Sequence, residues 1–490
     1  MRARLDLLDP GGGESSLCEG GRVDDIDLAQ KLALRLARRR VTLEKWDRYY
    51  KGEQPLAYMH PDLQRELAPR ISQVVINWPQ LVVDSVEERL DVEGFALGGD
   101  DALASRLWGW WQANNLDVTS QEAHTDALAM GVSYVIVGSQ DGSDVPLVTV
   151  ESPLQVVARL DPATRQVNAA IKTWVDSDED MSYLTLYLPD RTVRFAAEGA
   201  YDDLSDDLPT KNPRLPTSAR WSVMDQDDHM LGRVMVTPLV NRARTLDRNG
   251  VPEFAPILPL SDAACKIATD MMVSADFNAI PRTIAYGSTE DDWIDQDGRK
   301  VSKWEKIAGR IWAIAGTKAE AEVSQLPAAD LRNFHETINS LAKLAGSMAG
   351  LPPTYMGWTD ANPASAEGIQ ATVMRLVKRC ERRIRGFGGS WEDVARNMLI
   401  VADGELPENA ERLESVWRDP STPTLASEAD ALVKLAAGLG IPGSALWEKI
   451  PGVTKSEADA WRAAAAAERV QVARAQATAF GIDGLENGDS

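Results

Sequence analysis

The chain has 490 residues, 44% hydrophobic and 26% charged, enough for two or three hydrophobic cores, which excludes a disordered polypeptide. Its formal net charge of −22 excludes tight, sequence-specific nucleic-acid binding by phosphate neutralisation, while leaving open a wall along which DNA slides without being held. No apolar run approaches the roughly 20 residues of a membrane span, so no membrane partner is expected.

Residues 1–24 carry acids and several glycines and no apolar run of signal-peptide type, and are expected to form a flexible tail. Asp24 and Asp25 then suit the cap of a helix with Leu28, Leu32 and Leu36 on one face, ending at Arg38, Arg39 and Arg40, where cations suit the macrodipole. A second helix is expected over Trp78–Leu90, behind Asn77 and with Pro79 in its first turn. A third, Asp101–Asn114, contains Trp108, Trp110 and Trp111, an aromatic density that points to core or subunit contact.

From about Val132 the periodicity changes to two. Tyr134–Val137, Leu147–Val150, Gln155–Arg159, Val167–Val175, Tyr183–Leu188 and Thr192–Phe195 read as strands, with turns at Asp161-Pro162 and Pro189-Asp190, in a module of antiparallel hairpins ending near Val240. Tyr201–Ser218, rich in Asp, Pro, Ser and Thr, reads as an exposed loop.

Pro259–Pro281 is the next helix, with Leu260, Ala264, Ile267 and Met271 on one face, a rod of roughly 30 Å. A compact insert, Arg282–Pro327, has strand-like runs and Trp293, Trp304 and Trp312. A second rod, Ala328–Gly350, places Leu331, Phe334, Ile338, Leu341, Ala345 and Met348 at spacings of three and four, as expected of a helix packed along another. Leu351–Ala364 is a proline-punctuated loop with Pro353, Tyr355, Met356 and Trp358 among its members. Ser365 caps a long helix, expected to be interrupted or kinked at Gly386–Gly389 and to continue to about Ala402. Helical pieces at Thr424–Ala437, Ser444–Lys449 and Lys455–Phe480 close the chain, the last with a Thr454/Glu457 capping box.

Catalytic signatures are missing. No Gly-Lys dipeptide exists from which to build a phosphate loop, so ATP-driven work has to come from a partner. His335-Glu336 has Asn339 where a zinc-binding helix needs its second histidine. Asp295, Asp297 and Gly298 resemble the centre of a calcium loop, yet Trp293 and Trp304 stand where its first and last carboxylates belong. The four histidines, 60, 124, 229 and 335, form no cluster, and Cys18, Cys265 and Cys380 are too far apart for a zinc site or a disulfide framework, which suits core thiols in a reducing environment. No catalytic residue, metal or cofactor is therefore expected. One charge cluster stands out: Arg375, Lys378, Arg379, Arg382 and Arg383 share much of a helix face, suited to carboxylates of a neighbouring subunit or, alternatively, to transient phosphate contact in a channel.

Tyr49-Tyr50-Lys51-Gly52-Glu53, then Asn77-Trp78-Pro79, Val82-Val83-Asp84-Ser85, Arg89-Leu90 and Glu93-Gly94-Phe95, resemble the opening of portal proteins of long-tailed phages, especially those with actinobacterial hosts. A second match is Gly350-Leu351-Pro352-Pro353 with Asn362-Pro363-Ala364-Ser365-Ala366-Glu367-Gly368-Ile369. The resemblance covers roughly Asp25–Ala402, and Gly368 departs from it, standing where many relatives carry a larger helix former.

The resemblance implies an α+β portal fold: a wing in two parts (25–258, β-rich over 132–240, and 365–422 with its long helix), stem helices at 259–281 and 328–350, a small α/β clip at 282–327, a tunnel loop at 351–364 and a helical crown at 423–490. It implies a dodecameric ring at one capsid vertex of the virion, assembled in the host cytoplasm. Double-stranded DNA would pass through non-specifically, past a constriction lined by Tyr355 and Trp358. Terminase large subunit, head-completion adaptor, major capsid protein and scaffolding protein are the implied partners. Two alternatives remain open at this point: another oligomeric head component, such as an adaptor or minor capsid protein, and a metal-dependent nuclease or hydrolase using Asp291–Asp297.

Overall fold

The computed structural model describes residues 17–55, 74–98, 100–176, 178–198, 221–279, 283–286, 311–314, 331–357, 366–421, 425–447, 450, 453 and 455–479. The chain divides into two units, Met1–Pro420 and Ser421–Ser490.

Helix α1 (Leu17–Lys51) runs through both of the aspartates expected to cap it and well past the arginines expected to end it. Several of those side chains are engaged elsewhere. Asp25 is buried and pairs with Arg191 at 2.7 Å, Arg39 donates to the Tyr134 hydroxyl at 3.4 Å, and Arg40 Nε donates to the Leu154 carbonyl at 2.6 Å. The cations reach Tyr134 and the turn at Leu154, far along the chain, and the helix stops only at Gly52, whose φ of +74° suits a residue without Cβ.

Helix α2 (Trp78–Glu87) starts as read, with Asn77 Oδ1 accepting from Gln80 N at 3.2 Å. Strand β1 (Val92–Leu97) leads to α3 (Asp101–Ala113), capped by Asp100. After Asn115 in the left-handed region (φ 55°) comes α4 (Leu116–Met130), a helix the periodicity does not reveal. It buries Leu116, Ser120, Ala123, His124, Ala127 and Leu128, one face at helical spacing, but Ser120, His124 and the small alanines on that face leave it without an apolar stripe to read.

All six expected strands are present. β2 (Val132–Gln140) and β3 (Ser143–Glu151) join β9 (Val236–Val240) in a sheet of order β3-β2-β9. β4 (Val156–Leu160), β5 (Val167–Asp176), β6 (Met181–Tyr187), β7 (Arg191–Glu198) and β8 (Ser222–Asp228) form a five-stranded meander, antiparallel throughout, with registers such as Ile171↔Leu186 and Leu184↔Phe195. β8 escapes sequence reading because every residue in it is exposed and three are aspartates, so nothing alternates. That acidity suits an edge strand, where charge discourages further pairing.

Helix α5 (Leu258–Ala279) packs against α6 (Arg332–Ala349), and between them in sequence β10 (Thr283–Tyr286) pairs in parallel with β11 (Ile311–Ile314). Helix α7 (Ala366–Asp403) is continuous through Gly386–Gly389, where an interruption or kink was expected, and the interruption is thereby corrected. One of the glycines serves packing: a Cβ on Gly388 would stand 2.9 Å from Ser415 Oγ and 3.3 Å from Trp417 Nε1 of β12 (Leu413–Trp417), the strand paired with β1. Gly389 has nothing within 4 Å of the same position. Gly389→Ala should therefore raise stability by about 0.5–1 kcal/mol through helix propensity, whereas Gly388→Ala should lower it by about 1–2 kcal/mol. Urea midpoints of the two variants check this, and equal shifts of the same sign would refute the packing account.

The second unit contains α8 (Leu425–Leu439) and α9 (Lys455–Ala479). Trp447 meets Trp461 edge to face at 6.3 Å, and Arg462 Nε donates to the Ser444 carbonyl at 3.2 Å. The Thr454 capping box lies outside the described residues.

Two of the larger cores share α1. Its first half lays Ala29, Leu32, Ala33 and Leu36 on Ile171, Leu184, Leu186 and Phe195 of the five-stranded sheet, while Tyr49 joins the main helical core. At the centre of that main core Trp111 meets Trp391 edge-on at 4.9 Å, His124 stacks on Phe387 at 5.4 Å, and Trp391 Nε1 donates to His124 Nε2 at 2.9 Å. Trp110 and Trp111 are thus core residues, the first of the two roles their density suggested.

Full burial, offset only in part by the Leu90 backbone, pulls His124 down to about 3, so the ring is neutral. Its folded pKa lies below the unfolded value, so the unfolded chain binds the extra proton; this contribution is complete above about pH 6.5 and is lost as the pH falls towards 3. Between pH 6.5 and 5 the loss should be about 2 kcal/mol. The difference in pH slope between the parent and His124→Gln, by urea unfolding, isolates it, and parallel slopes would remove His124 from the account.

Candidate assembly site

Within α6 the positions fully buried are Ala342, Ala345, Gly346 and Ala349, small residues of which the alanines, with Ala264 of α5, belong to the main core. Leu331, Phe334, Ile338 and Leu341 are half-buried. Met348, expected among the packing residues, is instead 47% exposed in the protomer, and Leu344 beside it is 55% exposed. The reason is register: the alanines, one turn apart, take the inner face and leave Leu344 and Met348 on the outer one.

Gly350 (φ 71°) caps α6, and Pro353–Met356 makes a single 3-10 turn before Gly357 (φ 79°). Pro353 is exposed, while Tyr355 and Met356 are half-buried against the main core. Tyr355, expected to line a constriction, has its hydroxyl accepting from Arg89 Nη2 at 3.1 Å, and Arg89 Nη1 donates to the Pro420 carbonyl at 2.6 Å. Trp358 lies outside the described residues.

The basic face of α7 divides in two. Arg379 and Arg383 converge on Glu253, whose side chain is fully buried: Arg383 reaches it at 2.8 and 3.0 Å, Arg379 Nε at 3.0 Å, and Arg379 Nη2 also bonds it. Asn241 Nδ2 adds a bond at 3.2 Å. Burial alone would raise the Glu253 carboxyl, but the Arg383 and Arg379 guanidiniums overcome it and hold the group below the usual carboxylate range. The face was expected to meet carboxylates of a neighbouring subunit; for these two residues the carboxylate is instead Glu253 of the same chain. Arg375 donates to the Ser347 carbonyl at 2.8 Å, and with Arg379, 3.4 Å from the Met348 carbonyl, it satisfies the C-terminus of α6. Lys378, Arg382 and Arg385 stay exposed; Lys378 pairs with Glu381 at 2.8 Å.

An acidic groove of about 630 Å³, open to solvent, lies between α2, α4 and β3, lined by Glu87, Glu122, Asp126 and Glu151 among others. Burial, then repulsion from Asp91, Asp84 and Glu88, raises Glu87 to about 7. Burial, then Asp47 and Glu122, raises Asp126 to about 6, opposed only by Lys51. Sequence reading misses the groove because its acids come from three elements with no common spacing. Two carboxyls in or beside it have partners of their own: Lys172 holds Glu151 at 2.5 Å, and Asp84 accepts from the Tyr50 hydroxyl at 3.1 Å.

The described residues offer no group of three or more His, Cys, Asp or Glu suited to a metal. His335 and Glu336 stand exposed on α6, and Asp291–Asp297 lies outside the described residues. Cys265 and Cys380 are buried free thiols, with burial pushing Cys380 up to about 11.

The residues that first suggested a family are brought together in space. Asn77 Nδ2 donates to the Tyr50 carbonyl at 2.8 Å, a Cβ on Gly52 would stand 3.2 Å from that same Nδ2, and the Tyr49 hydroxyl reaches Asp262 of α5 at 3.0 Å. The knot ties α1, α2 and α5 together.

The family described as "Phage portal protein, SPP1 Gp6-like" matches residues 30–472. The chain belongs to the phage portal proteins. The portal protein of Mycobacterium phage L5 is 35% identical over 399 residues, covering 79% of this chain and 77% of the relative. That of Mycobacterium phage D29 is 36% identical over 372 residues, covering 74% and 72%. Among solved structures, a chain from the virion of a native gene transfer agent particle matches at 13% identity with a TM-score of 0.38, and one from the neck of an empty particle of that agent at 13% and 0.39; each match covers 79% of this portal chain and 91% of the other.

Proposed function

We propose that copies of this chain form a dodecameric ring at one capsid vertex, a passive channel for genome packaging, retention and ejection. The portal family match over residues 30–472 is the observation that carries this reading. In it α5 and α6 are the stem, the segment between them with β10 and β11 is the clip, the sheets with α1–α4 and α7 form the wing, the Pro353–Met356 turn and the residues after it form the tunnel loop, and α8 and α9 belong to the crown. The clip docks first the terminase large subunit, which supplies the ATP hydrolysis this chain has no phosphate loop to perform, and later the head-completion adaptor. Major capsid and scaffolding proteins surround the ring in the virion. Exposed Leu344 and Met348 on α6 and Met374 on α7 support the reading, since apolar side chains left outside one protomer suit burial between copies.

Native mass measurement together with particle images of the purified protein tests it. A closed ring of identical subunits with a central channel is expected; a protein that stays monomeric in every condition, or an assembly with no channel, overturns it.

A further inference from the structure

Positions 375, 378, 382 and 385 of α7 fall within one arc of roughly 80° and extend over about 15 Å of helix. All four are exposed cations: Arg375, Lys378, Arg382 and Arg385. The first two have intrachain partners, but Arg382 and Arg385 make no hydrogen bond or ion pair among the described residues. Two unpaired guanidiniums on such a stripe are notable in a chain of net charge −22. The groove between α2, α4 and β3 is its electrostatic complement. The charges that act on Glu87 are all acidic, Lys51 is the one cation acting on Asp126, and no member of the stripe reaches either carboxyl within the protomer.

Resting on the ring proposed above, we infer that the stripe led by Arg382 and Arg385 on one copy docks against the acidic groove of Glu87, Glu122 and Asp126 on the next copy. A head-to-tail contact uses two different patches of the same chain, and repeating it closes a ring. Each patch is unfavourable alone, one through repelling carboxylates and the other through unpaired guanidiniums, so joining them relieves both. The groove has volume for several side chains, and guanidinium forks match carboxylates in pairs. Phosphate contact is the lesser reading, since this contact must form between copies of a strongly acidic chain whether or not DNA is present.

Two variants test the pairing: Arg382→Glu/Arg385→Glu, and Gln121→Lys/Glu122→Lys. Both change exposed side chains, and circular dichroism with thermal unfolding establishes that each still folds. Each alone should lose the ring in native mass measurement. Mixed together they should recover it, because every stripe of glutamates can meet a groove of lysines while the intact stripes meet intact grooves, so the two variants alternate. Combining all four changes in one chain should also restore assembly. Rings from either variant alone, while the parent forms rings, overturn the pairing and leave the channel reading standing; no ring from the parent removes the channel reading itself. Variants that assemble normally but lose salt-sensitive retention of duplex DNA reassign the stripe to phosphate. Should either variant fail to fold, assembly of the parent at about 0.1 M and about 1 M salt decides, and a ring yield independent of salt overturns the inference.

Discussion

Gly250→Ala should destabilise the first unit by more than about 4 kcal/mol, or leave it insoluble. An added Cβ at Gly250 would stand 1.9 Å from the Gly131 carbonyl oxygen and 2.7 Å from its carbon, and the backbone there has φ +79°. The obstacle is another backbone, which cannot step aside as a side chain can. Gly131, at the end of α4 and itself at φ +87°, has the reciprocal problem, with the Gly250 carbonyl carbon 2.8 Å from its would-be Cβ. Positive φ alone explains only part of the expected cost: Gly232 has φ +72° with nothing within 4 Å, so Gly232→Ala should cost about 1–2 kcal/mol. Urea unfolding of the two variants separates close approach from strain, and similar losses would show that the crossing of the two glycines is not tight.

Glu253→Ala should cost about 3–5 kcal/mol, because it leaves Arg379 and Arg383 facing each other, largely buried, with no anion between them. The two predictions are linked. The glycine crossing brings residues 251–253 beside the end of α4, where Glu253 N donates to the Leu128 carbonyl at 2.8 Å, and so delivers the carboxylate to α7. Arg383→Met should be gentler than Glu253→Ala, since Arg379 keeps its partner and the lost charge leaves a neutral chain of similar length. The depressed folded pKa of Glu253 adds a pH signature: its stabilisation is present above the unfolded carboxyl pKa and is lost as the pH falls through the folded one. Thermal unfolding of the three proteins across the acid range checks both points. A Glu253→Ala protein as stable as the parent would show the triad to be dispensable.

What the sequence reveals of this fold follows from where local pattern survives. Strands β2–β7 announce themselves through β-branched and aromatic runs between turn residues, although Val132–Val137 of β2 is buried on both faces, and α2 announces itself through Asn77 and Pro79. Helix α4 does not, because its one buried face carries Ser120, His124 and small alanines in place of large apolar residues, and β8 does not, because it is exposed throughout. Punctuation misleads where a side chain, or the lack of one, serves a contact far away in the chain. The arginines at 38–40 look like a helix end, yet Arg39 and Arg40 reach Tyr134 and Leu154, and the glycines at 386–389 look like a break, yet Gly388 admits Ser415. The arginine face of α7 was legible as a feature and its carboxylate preference as chemistry. That Glu253 should be the carboxylate depends on a glycine crossing more than a hundred residues away in the chain, which no local pattern encodes.

A single helix of ~50 Å carries the five-stranded meander at one end and the tryptophan-rich centre at the other, since α1 is 35 residues long and does not break. Arg39 and Arg40 tie it down near mid-span and Tyr49 near its end bonds Asp262 of α5, so one uninterrupted shaft links the meander to α5. In the ring proposed above, a neighbouring copy bearing on that sheet would therefore be coupled through one continuous element to α5.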